Sequence, residues 1–172
     1  MPLPSVSVPG LVIRPATPDD LPVILQFIRD LAEFEKLSHQ VTATLEDLQN
    51  GLFGERHSAE AVIAEAAGKT VGYALFFTSF STFQGRAGIY LEDLYVQPAS
   101  RGQGIGKALL CAVGQIAASR NCGRYEWSVL DWNVSAIEFY TRLGAEMQPD
   151  WRRMKVEGPE LAALASLQAK SP

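Results

Sequence analysis

The sequence predicts an α/β protein: a mixed, mostly antiparallel central sheet with flanking helices. Three observations lead there. Two apolar runs, Ala61 to Ala66 and Val71 to Phe77, flank Ala67-Gly68-Lys69-Thr70 and read as a hairpin. Leu21, Ile24, Leu25, Ile28, Leu31 and Ala32 recur at helical spacing and form one apolar stripe. A strand over Ile89 to Val96 is followed by a loop, Gln97 to Gly106, and then by Lys107 to Ser119, with Leu109, Leu110, Val113, Ile116 and Ala117 on one helical face. Hairpins combined with helices that enter and leave a central strand indicate a sheet packed by helices, with ligands at the carboxyl ends of its central strands.

The elements follow in order. Leu11 to Arg14 is a short strand, and Thr17-Pro18-Asp19-Asp20 is helix-entry chemistry. Pro22 must fall in the first turn of the helix, since an interior proline removes a backbone bond and clashes, so Asp19 or a near neighbour is the cap. Glu35 continues the inward stripe of that helix, and an acid on an inward face breaks the pattern in the way functional sites do. Thr44-Leu45-Glu46-Asp47 starts a second short helix, and Gly51 suits its exit. Tyr125 to Leu130 reads as a strand, Asn133 to Leu143 as a helix closed by Gly144, and Trp151 to Val156 as a last strand before an Ala/Leu-rich helical tail. Residues 1–10 read as a flexible segment, 11–157 as one domain and 158–172 as a tail.

Composition narrows the function. With 172 residues the chain has about one domain's worth of core, and 47% hydrophobic with 20% charged residues is the balance of a folded protein. A net charge of -4 argues against general affinity for nucleic acid or anionic membranes, both of which need a basic surface. Met1 to Gly10 does not read as a signal peptide and no apolar run approaches the length of a membrane span, which points to the cytoplasm. Cys111 and Cys122 have no His or Cys near them at ligand spacing, so no metal is expected. His39 and His57 fall in loops and are not favoured for catalysis.

Arg101-Gly102-Gln103-Gly104-Ile105-Gly106-Lys107 lies between strand and helix, where glycines let the backbone approach a phosphate closely. A P-loop would need glycine where Arg101 stands and Ser or Thr where Ala108 stands. A dinucleotide fingerprint beginning at Gly102 would need glycine or similar at Lys107. Glycines that merely serve a tight turn are the plain competitor.

Here the residues carry a resemblance. Arg101-x-x-Gly104-x-Gly106, after Leu91-Glu92-Asp93-Leu94-Tyr95-Val96, resembles the acetyl-CoA pyrophosphate motif of the GNAT acetyltransferases. Leu130-Asp131-Trp132-Asn133 and Phe139-Tyr140-x-x-Leu143-Gly144-Ala145 resemble that superfamily's second cofactor segment. Leu31-Ala32-Glu33-Phe34-Glu35-Lys36-Leu37 and Tyr90-Leu91-Glu92-Asp93 resemble the branch that acetylates diamines, polyamines and thialysine. The resemblance implies the GNAT fold, whose central strand is splayed, with acetyl-CoA as co-substrate and a homodimer.

It also implies site residues. The backbone of Leu94, Tyr95 and Val96 would pair with pantetheine like an added strand, which only a splayed or bulged strand permits. The backbone of Arg101, Gly102, Gln103, Gly104, Ile105, Gly106 and Lys107 would hold the pyrophosphate at a helix N-terminus. Asn133, Ser135 and Ala136 complete the cofactor contacts, and Asn133 also suits a helix cap.

Acetyl transfer needs a neutral amine, and deprotonating one at pH 7 costs about 4 to 5 kcal/mol. Glu92, directly or through water, is the expected base. Two adjacent acids in an apolar strand are poorly explained by packing, although a solvated pair at a strand edge is the plain alternative. Tyr140 matches the acid of that superfamily, which implies that it protonates the departing thiolate; it shares a helix face with Asn133, seven residues away, and a capping Asn133 with a core Tyr140 is the plain alternative. The resemblance implies Phe34, Glu35, Glu92, Asp93 and Trp151 as substrate contacts, and Trp132 is expected in the core, where large aromatics more often lie. The expected activity is acetylation of a small cationic primary amine. Ser38-His39 replace further acids found in similar polyamine enzymes, so a short amine is expected over spermine. A non-catalytic acyl-CoA-binding domain and an enzyme for protein N-termini or antibiotics are the competing readings, and retention of both Glu92 and Tyr140 disfavours the former.

Overall fold

Five strands pair in chain order in the computed structural model, which describes residues 8–167: β1 (Leu11–Pro15), β2 (Glu60–Ala66), β3 (Lys69–Ser81), β4 (Arg86–Val96) and β5 (Arg124–Trp127). The first three pairings are antiparallel and β4 with β5 is parallel, so the sheet is mixed and mostly antiparallel, as expected. Ala67 (φ 50°) and Gly68 (φ 72°) alone turn β2 into β3. Two consecutive left-handed residues match the twist of a hairpin, so Lys69 and Thr70, read as turn, already belong to β3.

Helix α1 (Leu21–Phe34) begins after a 3-10 turn at Pro18–Asp20, with Pro22 in its first turn and Asp20 at the cap position. Its inward face differs from the expected stripe at one place: Phe27 is buried, three residues beyond Ile24, against the rings of Tyr73 and Tyr95 at 5.8 and 5.1 Å. Burying such a ring contributes about 1.5 to 3 kcal/mol. Ile28 and Leu31 sit at the margin of the same core.

Helix α2 (Leu45–Phe53) opens on a Thr44–Asp47 capping box and runs through Gly51 to end at Gly54. Leu52 and Phe53 join the core beside α1, which holds the helix past Gly51. A Cβ at Gly54 would lie 2.5 Å from the Asn50 carbonyl oxygen, so the steric need for glycine is there. Helix α3 (Ile105–Ser119) contacts β3 and β4 as well, and Gly72 lets it approach, since a Cβ there would meet Leu109 Cδ1 at 3.3 Å.

These elements belong to one compact unit, Met1–Ser128; a second comprises Val129–Pro172. The second contains α4 (Val134–Arg142), followed by Gly144 at φ 93°, and α5 (Gly158–Ser166). Two expectations are corrected here. Trp151 to Val156 forms no strand: every one of its residues is exposed, and an extended segment without a paired neighbour gains no ladder to hold it. Trp132 is 48% exposed and not a core residue. Strand β5 also stops at Trp127, short of the expected Leu130. Residues 1–7 of the expected N-terminal segment and 168–172 of the expected tail lie outside the described residues. No described helix is long and apolar enough to cross a membrane.

Candidate active site

The pairing of β4 changes character at Glu92. Opposite β3, Leu94 faces Ala74 and Asp93 faces Leu75, but the next pair is Leu91 with Phe76. Glu92 therefore has no opposite residue and forms a β-bulge, the device that re-aims side chains beside active sites. On the other edge, parallel pairing with β5 ends at Leu91 and Trp127. From Glu92 to Val96, β4 has a described sheet neighbour on the β3 side alone. This is the splay expected around Leu94, Tyr95 and Val96. Tyr95 is buried at 5% exposure, so its side chain serves the core and only its backbone faces the open edge.

The two adjacent acids have different surroundings. Glu92 is exposed, whereas Asp93 turns to the face of the sheet that packs α1. There it accepts a hydrogen bond at Oδ2 from the Tyr73 hydroxyl at 2.7 Å. Burial raises the Asp93 carboxyl above the usual carboxylate range; the Tyr73 bond opposes that shift and the charge of Glu92 adds to it. Tyr73 is fully buried, and burial and then Asp93 push its phenol well above its ordinary value.

Glu35 joins this group from the end of α1. Leu37 N donates to Ala32 O at 2.7 Å and Lys36 N to Glu33 O at 3.0 Å, with Lys36 at φ 62°, a left-handed helix exit that leaves Glu35 as the cap residue. Its carboxyl is raised by burial first and by the charge of Asp93 second. The charge of Asp93 thus acts on Glu35, that of Glu92 acts on Asp93, and all three carboxylates act on the Tyr73 hydroxyl. Such a group favours an incoming cation.

The glycine loop starts with a 3-10 turn at Pro98–Ser100. Arg101 Nε donates to Val96 O at 2.9 Å, and its guanidinium lies 5.4 Å from the Phe34 ring centre and 5.6 Å from that of Tyr95. Phe34, expected to touch substrate, thus packs under Arg101 and retains 44% exposure. Gly102 (φ 75°) and Gly104 (φ 84°) are left-handed, and Gly104 caps α3 without any side-chain bond to its amides. The amides of Ile105, Gly106 and Lys107 are the first-turn donors that an α-helix leaves unused. Ile105 itself is buried, which restricts it to a backbone role, and Gln103 Nε2 reaches Ala99 O at 3.4 Å.

In the second unit, Asn133 caps α4: its Oδ1 accepts from Ala136 N at 3.3 Å and from Ser135 Oγ at 3.2 Å. Tyr140, partly buried with its ring 5.2 Å from that of Phe139, shares the helix face of Asn133. Trp151 is 75% exposed. Among the described residues no cluster of His, Cys, Asp and Glu could hold a metal ion.

Sequence reasoning missed Tyr73 and Asp30, whose Oδ2 accepts from the Tyr95 hydroxyl at 3.4 Å. Tyr73 reads as one more apolar strand residue. Only the diagonal between β3 and β4 reveals its partner.

Comparison with known proteins bears on all of this. The sequence profile described as the acetyltransferase (GNAT) family matches residues 25–145. Thialysine N-epsilon-acetyltransferase of Mus musculus is 41% identical over 164 residues, covering 89% of this chain and 96% of that protein. L-ornithine N5-acetyltransferase of Arabidopsis thaliana is 32% identical over 200 residues, covering 90% and 88%. Among solved structures, an integron cassette protein from the mobile metagenome of V. cholerae superposes with a TM-score of 0.76 at 25% identity, covering 92% of this chain and 99% of that one.

Proposed function

The chain belongs to the acetyltransferase (GNAT) family and is an acetyl-CoA-dependent N-acetyltransferase; from that premise we propose that it acetylates a small primary amine carrying a second polar or cationic group, such as thialysine, ornithine or a short diamine. The observation that carries this reading is the acid group Glu35, Asp93 and Glu92, gathered where β4 bulges and parts from β5. The catalytic domain is taken as 11–157, on the support that the family match runs through both units.

In this reading the open edge at Leu94, Tyr95 and Val96 pairs with the pantetheine arm, and the amides from Arg101 to Lys107 hold the pyrophosphate. Gly104 suits that task because a side chain at its φ would be strained. Asn133, Ser135 and Ala136 add contacts from the start of α4. Asp93 and Glu35 bind the cationic parts of the amine, whose charge opposes the upward shift of both carboxyls.

Glu92, exposed to solvent, takes the proton of the reacting ammonium through water. The neutral nitrogen attacks the thioester carbonyl, the carbon–sulfur bond breaks, and Tyr140 protonates the leaving thiolate. Phe34 and Trp151 add apolar contacts. Homodimer formation is part of the proposal, supported by the resemblance alone.

A panel assay tests the substrate class: acetyl-CoA with thialysine, ornithine, putrescine, spermine, a plain monoamine and a peptide N-terminus, reading free thiol. Short amines with a second polar group should lead, and a lead for spermine or the peptide would refute the reading. Tyr140→Phe should keep acetyl-CoA affinity and lower kcat roughly 100- to 10,000-fold. Full turnover in that variant would remove Tyr140 from the mechanism.

A further inference from the structure

Tyr73 has no part in the transfer chemistry, yet among the described residues its one hydroxyl bond goes to the carboxylate assigned to the amine. It lies on β3 opposite Tyr95, one diagonal step from Asp93 on the same face of the sheet. Its ring is fully buried and stacks 5.8 Å from Phe27, so neither side chain nor strand leaves the hydroxyl freedom to wander. The bond at 2.7 Å takes Asp93 Oδ2, while no other described side chain donates to the second carboxylate oxygen. Charge-assisted bonds of this length are strong and directional, so one oxygen is anchored and the other is held in a fixed orientation.

We propose that Tyr73 is a positioning residue for the transfer reaction, whose hydroxyl clamps Asp93 Oδ2 so that the remaining oxygen meets the ammonium of the amine substrate. The inference rests on the assignment of Asp93 to the substrate. The titratable groups around Asp93 are Glu35 at the end of α1, on which the charge of Asp93 acts, Glu92 on β4 and Tyr73 itself. Burial and the charge of Glu92 favour protonation of Asp93, and the Tyr73 bond opposes it. Its loss therefore makes Asp93 harder to ionise.

The test is a cycle of Tyr73→Phe, Asp93→Asn and the double variant, assayed with thialysine or with whichever amine leads the panel. Tyr73→Phe keeps the ring that packs on Phe27 and removes only the donor. It should raise the amine KM roughly 10-fold or more, leave acetyl-CoA affinity unchanged by calorimetry, and move the acid limb of kcat/KM to higher pH. In the Asp93→Asn background the same change should add nothing to KM and shift no limb. Suppose Asp93→Asn raises KM but Tyr73→Phe leaves both KM and the acid limb alone: the clamp is then wrong and the substrate role of Asp93 stands. An Asp93→Asn enzyme with unchanged amine KM would instead overturn the reading of Asp93, and the clamp with it. Equal losses from Tyr73→Phe in both backgrounds, or a Tyr73→Phe chain that does not fold, would show a hydroxyl that serves the fold and not the substrate.

Discussion

Helix α1 carries an acid at each end, and the two ends treat it in opposite ways. Asp20, at the N-terminus, accepts bonds from Arg14 Nη1 and Nη2 at 2.7 and 2.8 Å and from Thr17 N at 2.7 Å. Its carboxyl is held down to about 2, chiefly by the Arg14 bond, and the helix N-terminus favours the same charge. Glu35, at the C-terminus, is pushed up by burial and by the charge of Asp93, where the helix end itself disfavours an anion. Arg14 also reaches Glu65 at 2.6 Å, so the first group is a closed ion cluster whose cation comes from the chain. For the second group no ion pair is found among the described residues, and in the proposed function its cation comes from the substrate.

This contrast can be broken most directly by neutralising one acid of each group. Asp93→Asn should raise the amine KM roughly 10- to 100-fold, the loss of a charge-assisted bond, without lowering Tm. Asp20→Asn should do the reverse. It loses about 2 kcal/mol, which for a chain of this size is a fall of roughly 4 to 8 °C in Tm, with KM unchanged. Swapped outcomes in calorimetry and kinetics would mean that the two groups have been assigned the wrong way round.

The pH dependence should separate the groups by sign. Asp20 has a depressed folded value, so its contribution is complete above its ordinary value near 3.8 and is lost as pH falls toward about 2. Asp93 and Glu35 are raised, so what they contribute is present below their ordinary values and is lost as pH rises through the raised ones. Urea titrations from pH 3 to 7 should accordingly show Asp93→Asn gaining stability relative to the native chain as pH rises. A gain that shrinks with pH would contradict the burial argument.

Smaller effects sharpen the picture. Glu35→Gln should raise KM roughly 10-fold for an amine with a distal cation and hardly at all for a monoamine of equal length. Equal loss for both would move Glu35 from substrate recognition to the scaffold. Thr44→Ala, at the exposed cap of α2, should cost about 1 kcal/mol in denaturant titration and leave every kinetic constant unchanged. Any kinetic change there would imply that α2 reaches the site.

Much of this architecture was legible because it is local. The stripe of α1, the capping box at Thr44, the cap at Asn133 and the left-handed glycines at 102 and 104 each depend on residues within about four positions, and residue type alone expresses those constraints. Glu35 was legible for the same reason, as an acid on the inward side of a periodic stripe. The family pattern added the roles of Glu92 and Tyr140, which remain to be tested. What only the tertiary structure decided are relations across the chain. The bulge at Glu92 arises from the register of β4 against β3, and the open edge of β4 from the early end of β5. The bond from Tyr73 to Asp93 spans twenty positions. The stacking of Arg101 on Phe34 joins a loop to a helix far upstream. Trp151 to Val156 shows the converse, a segment read as a strand for which no paired neighbour is described. Local patterns specify what a segment prefers to be, but a strand's partner, its bulges and the direction of its acids are settled only when distant segments compete for the same backbone bonds and the same buried space.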